Sequence, residues 1–112
     1  MADDEFYLGS LRVDLLGRRV WIKGEPRVLS RAQFDLLLAL GNPPGRAVPY
    51  DELYNAVWRV WPTDWNQFRN LAGLACRLRK TIGAEYIDTL WGYGFRLHIE
   101  DDREDRPPYP TS

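Results

Sequence analysis

The chain has 112 residues, of which 45% are hydrophobic and 28% are charged, and its formal net charge is −1. This length accommodates one domain, and the apolar content is that of a globular protein, which excludes wholesale disorder. No apolar run approaches the roughly 18 residues of a membrane span, and the single cysteine cannot form an internal disulfide, so we expect a cytoplasmic protein that does not contact a membrane.

The net charge averages over regions of different sign. The two ends, 1–5 and 100–112, hold eight of the 16 acidic residues and two of the 15 basic ones, so 6–99 carries a net charge of +5. The sequence predicts an acidic N-terminal extension over 1–5, one folded domain over 6–99, and an acidic, proline-rich flexible tail over 100–112.

Strand signals dominate the region before residue 30. Short segments with alternating polarity and β-forming residues are separated by turn signals that contain glycine. The predicted strands lie at 6–8, 11–14, 19–22 and 27–29. Pro26 is placed in the last of the turns, and Trp21 in the core. This spacing predicts a small antiparallel meander.

The first helix has a complete set of start signals. Ser30 can accept a hydrogen bond from the first turn, and Gln33 can return one to the backbone of Ser30, which makes a capping box. Leu29 and Phe34 fit a hydrophobic staple across the same turn. The glycine–proline cluster at 41–45 predicts the end of this helix.

Two further helices follow. The second is predicted over about 49–58, with proline and acidic residues at its start and Trp58 in the core. An aromatic loop at 59–65 leads into the longest helix, over about 66–82, in which Cys76 is assigned a small packing role. The side of this helix opposite its apolar face carries residues at alternating spacings of four and three: Asn66, Asn70, Gly73, Arg77 and Lys80.

The chain then returns to strand signals. Segments 86–90 and 95–99 are predicted strands, and the paired glycines of 91–94 permit the backbone of a hairpin turn. The order of strands, three helices and hairpin predicts an α+β fold. We expect a winged helix-turn-helix with an N-terminal antiparallel β-meander and a C-terminal β-hairpin wing.

Four segments, in the right order and spacing, resemble the effector domain of OmpR/PhoB-type response regulators. Leu-Ser-Arg-Ala-Gln-Phe-Asp-Leu-Leu at 29–37 is similar to the family's Leu-Thr-x-x-Glu-Phe-x-Leu-Leu, and 45–58 is similar to its second helix. Arg-Leu-Arg-Lys-Thr-Ile-Gly at 77–83 is similar to the end of its recognition helix. Ile-Asp-Thr-Leu-Trp-Gly-Tyr-Gly-Phe-Arg-Leu at 87–97 is similar to its wing. The resemblance covers 6–99.

This resemblance implies that the third helix enters the major groove of double-stranded DNA and that the wing approaches the minor groove. Arg77 falls on the position that would contact a base, where a guanidinium can bind guanine through two hydrogen bonds. Thr89 falls on a wing position that can contact DNA. The residues expected at DNA phosphates are Arg69, Asn70, Arg79 and Lys80.

Several features depart from the family pattern. The segment 71–75 lacks the acid and the histidine that the family usually has there. Gly73 lies mid-helix, where glycine lowers helix stability by roughly 1 kcal/mol relative to alanine. It either permits close approach of DNA or indicates that this surface no longer has to bind DNA. Trp91 replaces the wing arginine that would enter the minor groove, and it is a candidate DNA-contacting residue at that position. We expect no receiver domain before the fold, and therefore no control by phosphorylation of the usual kind.

Two functions remain open from the sequence. The first is a sequence-specific DNA-binding transcriptional regulator that acts as a homodimer or a tandem assembly on DNA. The second is a winged-helix module that binds the transcription machinery or another protein, with weak or no DNA binding. The loop at 59–65 corresponds to a region that in the family can face RNA polymerase, so Trp61 and Trp65 are candidates for partner binding, unless they pack on the small core. In either case the chain can be one domain of a longer regulator.

Other chemistries find no support in the sequence. One histidine and one cysteine cannot supply the usual soft ligands of a metal cluster. No nucleophilic side chain and general base have the sequence spacing of a Ser-His-Asp or Cys-His catalytic set. We therefore expect no enzyme activity, no metal and no cofactor. A last hypothesis is that the acidic ends screen the basic region and weaken non-specific DNA binding.

Overall fold

The computed structural model describes residues 5–41 and 44–98. The predicted tail at 100–112 and residues 1–4 of the predicted extension lie outside the described residues. Within the described part of the chain, no helix has both the length and the apolar character needed to cross a membrane.

Four antiparallel strands in sequential order form the first sheet, which confirms the predicted meander. The first strand starts at Glu5, which pairs with Asp14 although it was expected in the extension. Val20 and Ile22 of the third strand are buried in the hydrophobic core. The strands are β1 Glu5–Leu8, β2 Leu11–Asp14, β3 Arg19–Ile22 and β4 Glu25–Arg27.

The predicted turn at Pro26 is wrong, and β4 lies two residues earlier than expected. Lys23 and Gly24 have φ values of 53° and 81°, which suits a two-residue hairpin turn. Pro26 then lies within β4, opposite Trp21. Because β4 is an edge strand, a residue without a backbone N–H can be accommodated there.

Three helices follow, and the start of the first is as predicted. Ser30 Oγ accepts a hydrogen bond from the N–H of Gln33 at 3.1 Å, and Gln33 Oε1 accepts one from the N–H of Ser30 at 3.1 Å. Pro49 is the N-cap of the second helix instead of a residue of its first turn. The helices are α1 Arg31–Leu40, α2 Tyr50–Trp58 and α3 Trp65–Ile82.

A second capping box, which sequence reasoning missed, starts α3. The Asp64 carboxylate accepts a hydrogen bond from the N–H of Asn66 at 3.0 Å, and Gln67 Oε1 accepts one from the N–H of Asp64 at 3.0 Å. The signal was present in the sequence as an acceptor residue followed three positions later by glutamine. It makes Trp65 the first residue of α3, so this residue belongs to the helix and not to the preceding loop.

The wing is the hairpin of β6 Ile87–Leu90 and β7 Gly94–Leu97, which confirms the predicted C-terminal hairpin. An unpredicted strand, β5 Val48–Pro49, pairs with β7 and completes a three-stranded sheet. Gly94 makes this pairing possible, because a Cβ at that position would lie 1.8 Å from the carbonyl oxygen of Val48.

Two tryptophans expected in the core lie outside it. Trp21 points away from the core because its strand neighbours point inward, and its ring lies 4.4 Å below the guanidinium of Arg12. Trp58 ends α2 with 36% of its surface exposed. Its ring packs on that of Tyr54, with centroids 4.5 Å apart. The core is formed mainly by leucines of the helices and inward-facing residues of both sheets.

Candidate nucleic-acid interface

One long side of α3 is open to solvent. The opposite side is anchored in the core by Leu71, Leu74, Ala75, Leu78 and Ile82. The helix has 18 residues, none of them acidic, and a helix of this length spans about 27 Å. Its exposed basic side chains are Arg69, Arg77 and Lys80. We define the α3 face as the surface formed by Asn66, Arg69, Asn70, Gly73, Cys76, Arg77 and Lys80.

Small residues form the middle of the α3 face. Cys76 is exposed, so its assigned packing role is wrong. It follows Arg69 by seven positions and Gly73 by three, a helical spacing that could have placed it on this face. A Cβ on Gly73 would approach Nη1 of Arg77 at 3.7 Å, an ordinary contact. Packing within the protein therefore does not require glycine at this position.

Arg79 is directed at the wing and is only partly exposed. Its guanidinium donates hydrogen bonds to the carbonyl oxygen of Ile87, at 3.1 Å, and to Oγ1 of Thr89. The same group lies 5.6 Å from the ring centroid of Phe95. Two residues that were expected to contact DNA separately, Arg79 and Thr89, thus contact each other. Their DNA contacts stay predictions, whereas the geometry gives Arg79 a positioning role between α3 and the wing.

A groove separates the first half of α3 from the wing. It has a volume of about 380 Å³, and Arg69 of the α3 face also lines it. Trp65 and Trp91 are the most exposed of its aromatic residues, with 81% and 88% of their surfaces in solvent. Five aromatic residues line this helix–wing groove: Tyr50, Trp65, Phe68, Trp91 and Phe95.

The fold agrees with comparisons with known proteins. Residues 24–97 match the family model described as "Transcriptional regulatory protein, C terminal". The chain belongs to this family. Among solved structures, the RstA DNA-binding domain of Klebsiella pneumoniae in complex with the RstA box is 28% identical, with a TM-score of 0.72. The match covers 83% of this chain and 95% of that one.

Other members of the family show the same relationship. Response regulator DrrB of Thermotoga maritima, an OmpR/PhoB homolog, has a TM-score of 0.73 at 27% identity, over 84% of this chain and 44% of that one. The transcriptional regulatory protein CseB of Streptomyces avermitilis is 33% identical over 90 residues, which are 80% of this chain and 37% of CseB. VxrB of Vibrio cholerae is 33% identical over 98 residues, which are 85% of this chain and 38% of VxrB. The chain thus spans less than two-fifths of the length of CseB and VxrB. Together with the solved structures, these matches confirm the predicted winged helix-turn-helix of OmpR/PhoB type.

In this transcriptional-regulator domain, the two tryptophans predicted to bind a partner lie on different elements. Trp61 is 61% exposed in the connection between α2 and α3, next to Val60, which is 53% exposed. Trp65 packs edge-on against Phe68, with ring centroids 5.3 Å apart, and belongs to the helix–wing groove. Partner binding stays a prediction, and it concerns two separate surfaces.

In the described regions 5–41 and 44–98, no group of three or more His, Cys, Asp or Glu residues is placed to hold a metal ion. Nδ1 of His98 lies 3.1 Å from Oδ2 of Asp88, at the base of the wing. The pKa of Asp14 is lowered, chiefly because the N–H of Gly17 donates a hydrogen bond to its carboxylate. Asp14 lies in the first sheet, away from the α3 face.

Proposed function

We propose that this chain binds double-stranded DNA, with α3 in the major groove and the wing near the minor groove, and that it regulates transcription at a specific sequence. The observation that carries the proposal is the α3 face, an exposed, basic helical surface without an acidic residue. Support also comes from the similar RstA DNA-binding domain, whose crystal structure is in complex with the RstA box. CseB and VxrB, of which the chain covers a part, are named transcriptional regulatory proteins.

The exposed residues of the α3 face fit different parts of DNA. Arg77 is exposed to solvent, and its guanidinium can donate two hydrogen bonds to one guanine. Arg69 and Lys80 lie two turns before and one turn after it, where they suit phosphates on the flanks of the groove. Arg79 would act indirectly, because its bonds to β6 set the position of the wing relative to α3.

A salt titration with single variants tests this assignment. Fluorescence anisotropy on a duplex selected from a random pool, and on an unrelated duplex, would compare the wild type with Arg77→Ala and Lys80→Ala. We expect Lys80→Ala to weaken both complexes and to lower the slope of log affinity against log salt by about one. We expect Arg77→Ala to cost roughly 5- to 150-fold on the selected duplex, the equivalent of about 1–3 kcal/mol, and much less on the unrelated one.

The matched control is Arg31→Ala, since Arg31 is an exposed arginine on α1 and is not part of the α3 face. It should leave both affinities and the salt slope near those of the wild type. No binding at low salt, or the same loss for all three variants, would contradict the proposal.

A second candidate function is the binding of a protein of the transcription machinery through the connection between α2 and α3. The exposed side chains of Val60 and Trp61 favour it, because large apolar groups left in water often mark a contact surface. Purified RNA polymerase should then bind the wild type more tightly than the Trp61→Ala variant. Circular dichroism should show that the two proteins are equally folded. Equal binding would reject this surface.

A further inference from the structure

The helix–wing groove has the chemistry of a site for a proline-rich segment. Its floor is a continuous series of aromatic contacts, with ring centroids 5.3 to 5.7 Å apart, through Trp65, Phe68, Tyr50 and Phe95. Aromatic grooves bind polyproline helices because these segments are extended before binding and lose little conformational freedom. The volume of about 380 Å³ lies within the range of ligand sites.

The chain itself carries a segment of this kind next to a strongly acidic one. Residues 107–110 read Pro-Pro-Tyr-Pro, and the six residues 100–105 include five acids and one arginine. The groove opens beside Arg69, and the α3 face continues from there with Arg77 and Lys80. The charges of the two surfaces are therefore complementary over the same stretch.

The connection is long enough for these surfaces to meet. Phe95 lines the groove and lies three residues before His98, the last described residue, so their Cα atoms are at most about 11 Å apart. The nine residues from His98 to Pro107 can extend to about 30 Å. This reach allows 107–110 to arrive at the groove even by a path around the edge of the wing.

We infer that 107–110 occupies the helix–wing groove of its own molecule, while 100–105 lies against the basic side chains of the α3 face. The segment then covers Trp65 and Trp91 and competes with DNA for Arg69, so the chain lowers its own DNA affinity. The competition rests on the proposed function, whereas the occupation of the groove does not.

The test is made on the full chain with a variant that leaves the charge unchanged, Pro107→Ala with Pro108→Ala and Pro110→Ala. The indole N–H resonances of Trp65 and Trp91, assigned through Trp65→Phe and Trp91→Phe, report on the groove by NMR. We expect both resonances to shift in the triple variant, while that of Trp21, on the outer side of the first sheet, stays in place. The control, Thr111→Ala with Ser112→Ala, should shift none of them.

Unchanged resonances of Trp65 and Trp91 in the triple variant would overturn the inference. A shift that depends on protein concentration would also overturn it, because the segment would then come from a second copy. DNA affinity gives a separate measurement. If the groove is occupied two-thirds of the time, the triple variant should bind DNA about threefold more tightly.

The two proposals fail in different ways. Shifted resonances in a chain that binds no DNA would support groove occupation and reject the proposed function. DNA binding with unchanged resonances would reject groove occupation and leave the proposed function standing.

Discussion

Gly73 lies in the middle of α3, where glycine is unfavourable because it loses more backbone freedom on folding than alanine. Replacing glycine by alanine inside a helix contributes about 1 kcal/mol to stability. The added Cβ would lie 3.7 Å from Nη1 of Arg77, so no steric cost offsets this gain. We therefore expect Gly73→Ala to raise the free energy of unfolding by about 1 kcal/mol and the melting temperature by roughly 4–8 °C.

Urea unfolding followed by tryptophan fluorescence measures this difference. Ala72→Gly is the matched control, because Ala72 is an exposed neighbour on the same helix and its replacement should lower stability by about the same amount. A Gly73→Ala variant that is less stable than the wild type would refute the reasoning, since it would reveal a packing requirement for glycine that the structure does not show.

The same variant measures how closely DNA approaches α3. If the middle of the α3 face lies against DNA, the new methyl group has to push the DNA away. Overpacking of this kind weakens binding by roughly 1–3 kcal/mol. We expect Gly73→Ala to be more stable and yet to bind the selected duplex more weakly. Higher stability with unchanged DNA affinity would contradict a close approach at this position.

Two further variants test how the wing is held. Arg79→Met keeps an apolar stem but loses the hydrogen bonds to Ile87 and Thr89, so it should lower the free energy of unfolding by about 1–2 kcal/mol in urea; stability equal to the wild type would show that these bonds contribute nothing. Gly94→Ala would place a Cβ 1.8 Å from the carbonyl oxygen of Val48, and the backbone of β5 would have to move. We expect a loss of about 3 kcal/mol or more by thermal unfolding, and an unchanged melting temperature would contradict the pairing of β5 with β7.

Features that depend on a few neighbouring residues could be predicted from the sequence. The capping box of Ser30 and Gln33 is one, because both partners lie within a single turn. The Asp64 box has the same pattern and was missed only because the tryptophans around it indicated a loop. The exposure of Arg77 and Lys80 followed from helical spacing, since burial of one side leaves the opposite side in water. Arg69 was expected at DNA only from the family resemblance.

Features that depend on distant parts of the chain could not be predicted in this way. Pro26 indicates a turn locally, and only the position of β4 at the edge of the sheet makes it acceptable in a strand. Trp21 is apolar, but the pleat of β3 and two covering arginines keep it outside the core. The hydrogen bonds of Arg79 join residues eight and ten positions apart, so its direction toward the wing depends on the packed fold.

The position of DNA on α3 can be measured most directly through Cys76. It is the single cysteine of the chain and lies exposed in the middle of the α3 face, so a thiol-alkylating reagent reports on that surface alone. With about 90% of the protein bound to the selected duplex, we expect alkylation to slow about tenfold, and high salt should restore the rate by releasing the DNA. An unchanged rate in a complex that anisotropy shows to be saturated would place the DNA elsewhere and contradict the major-groove role of α3.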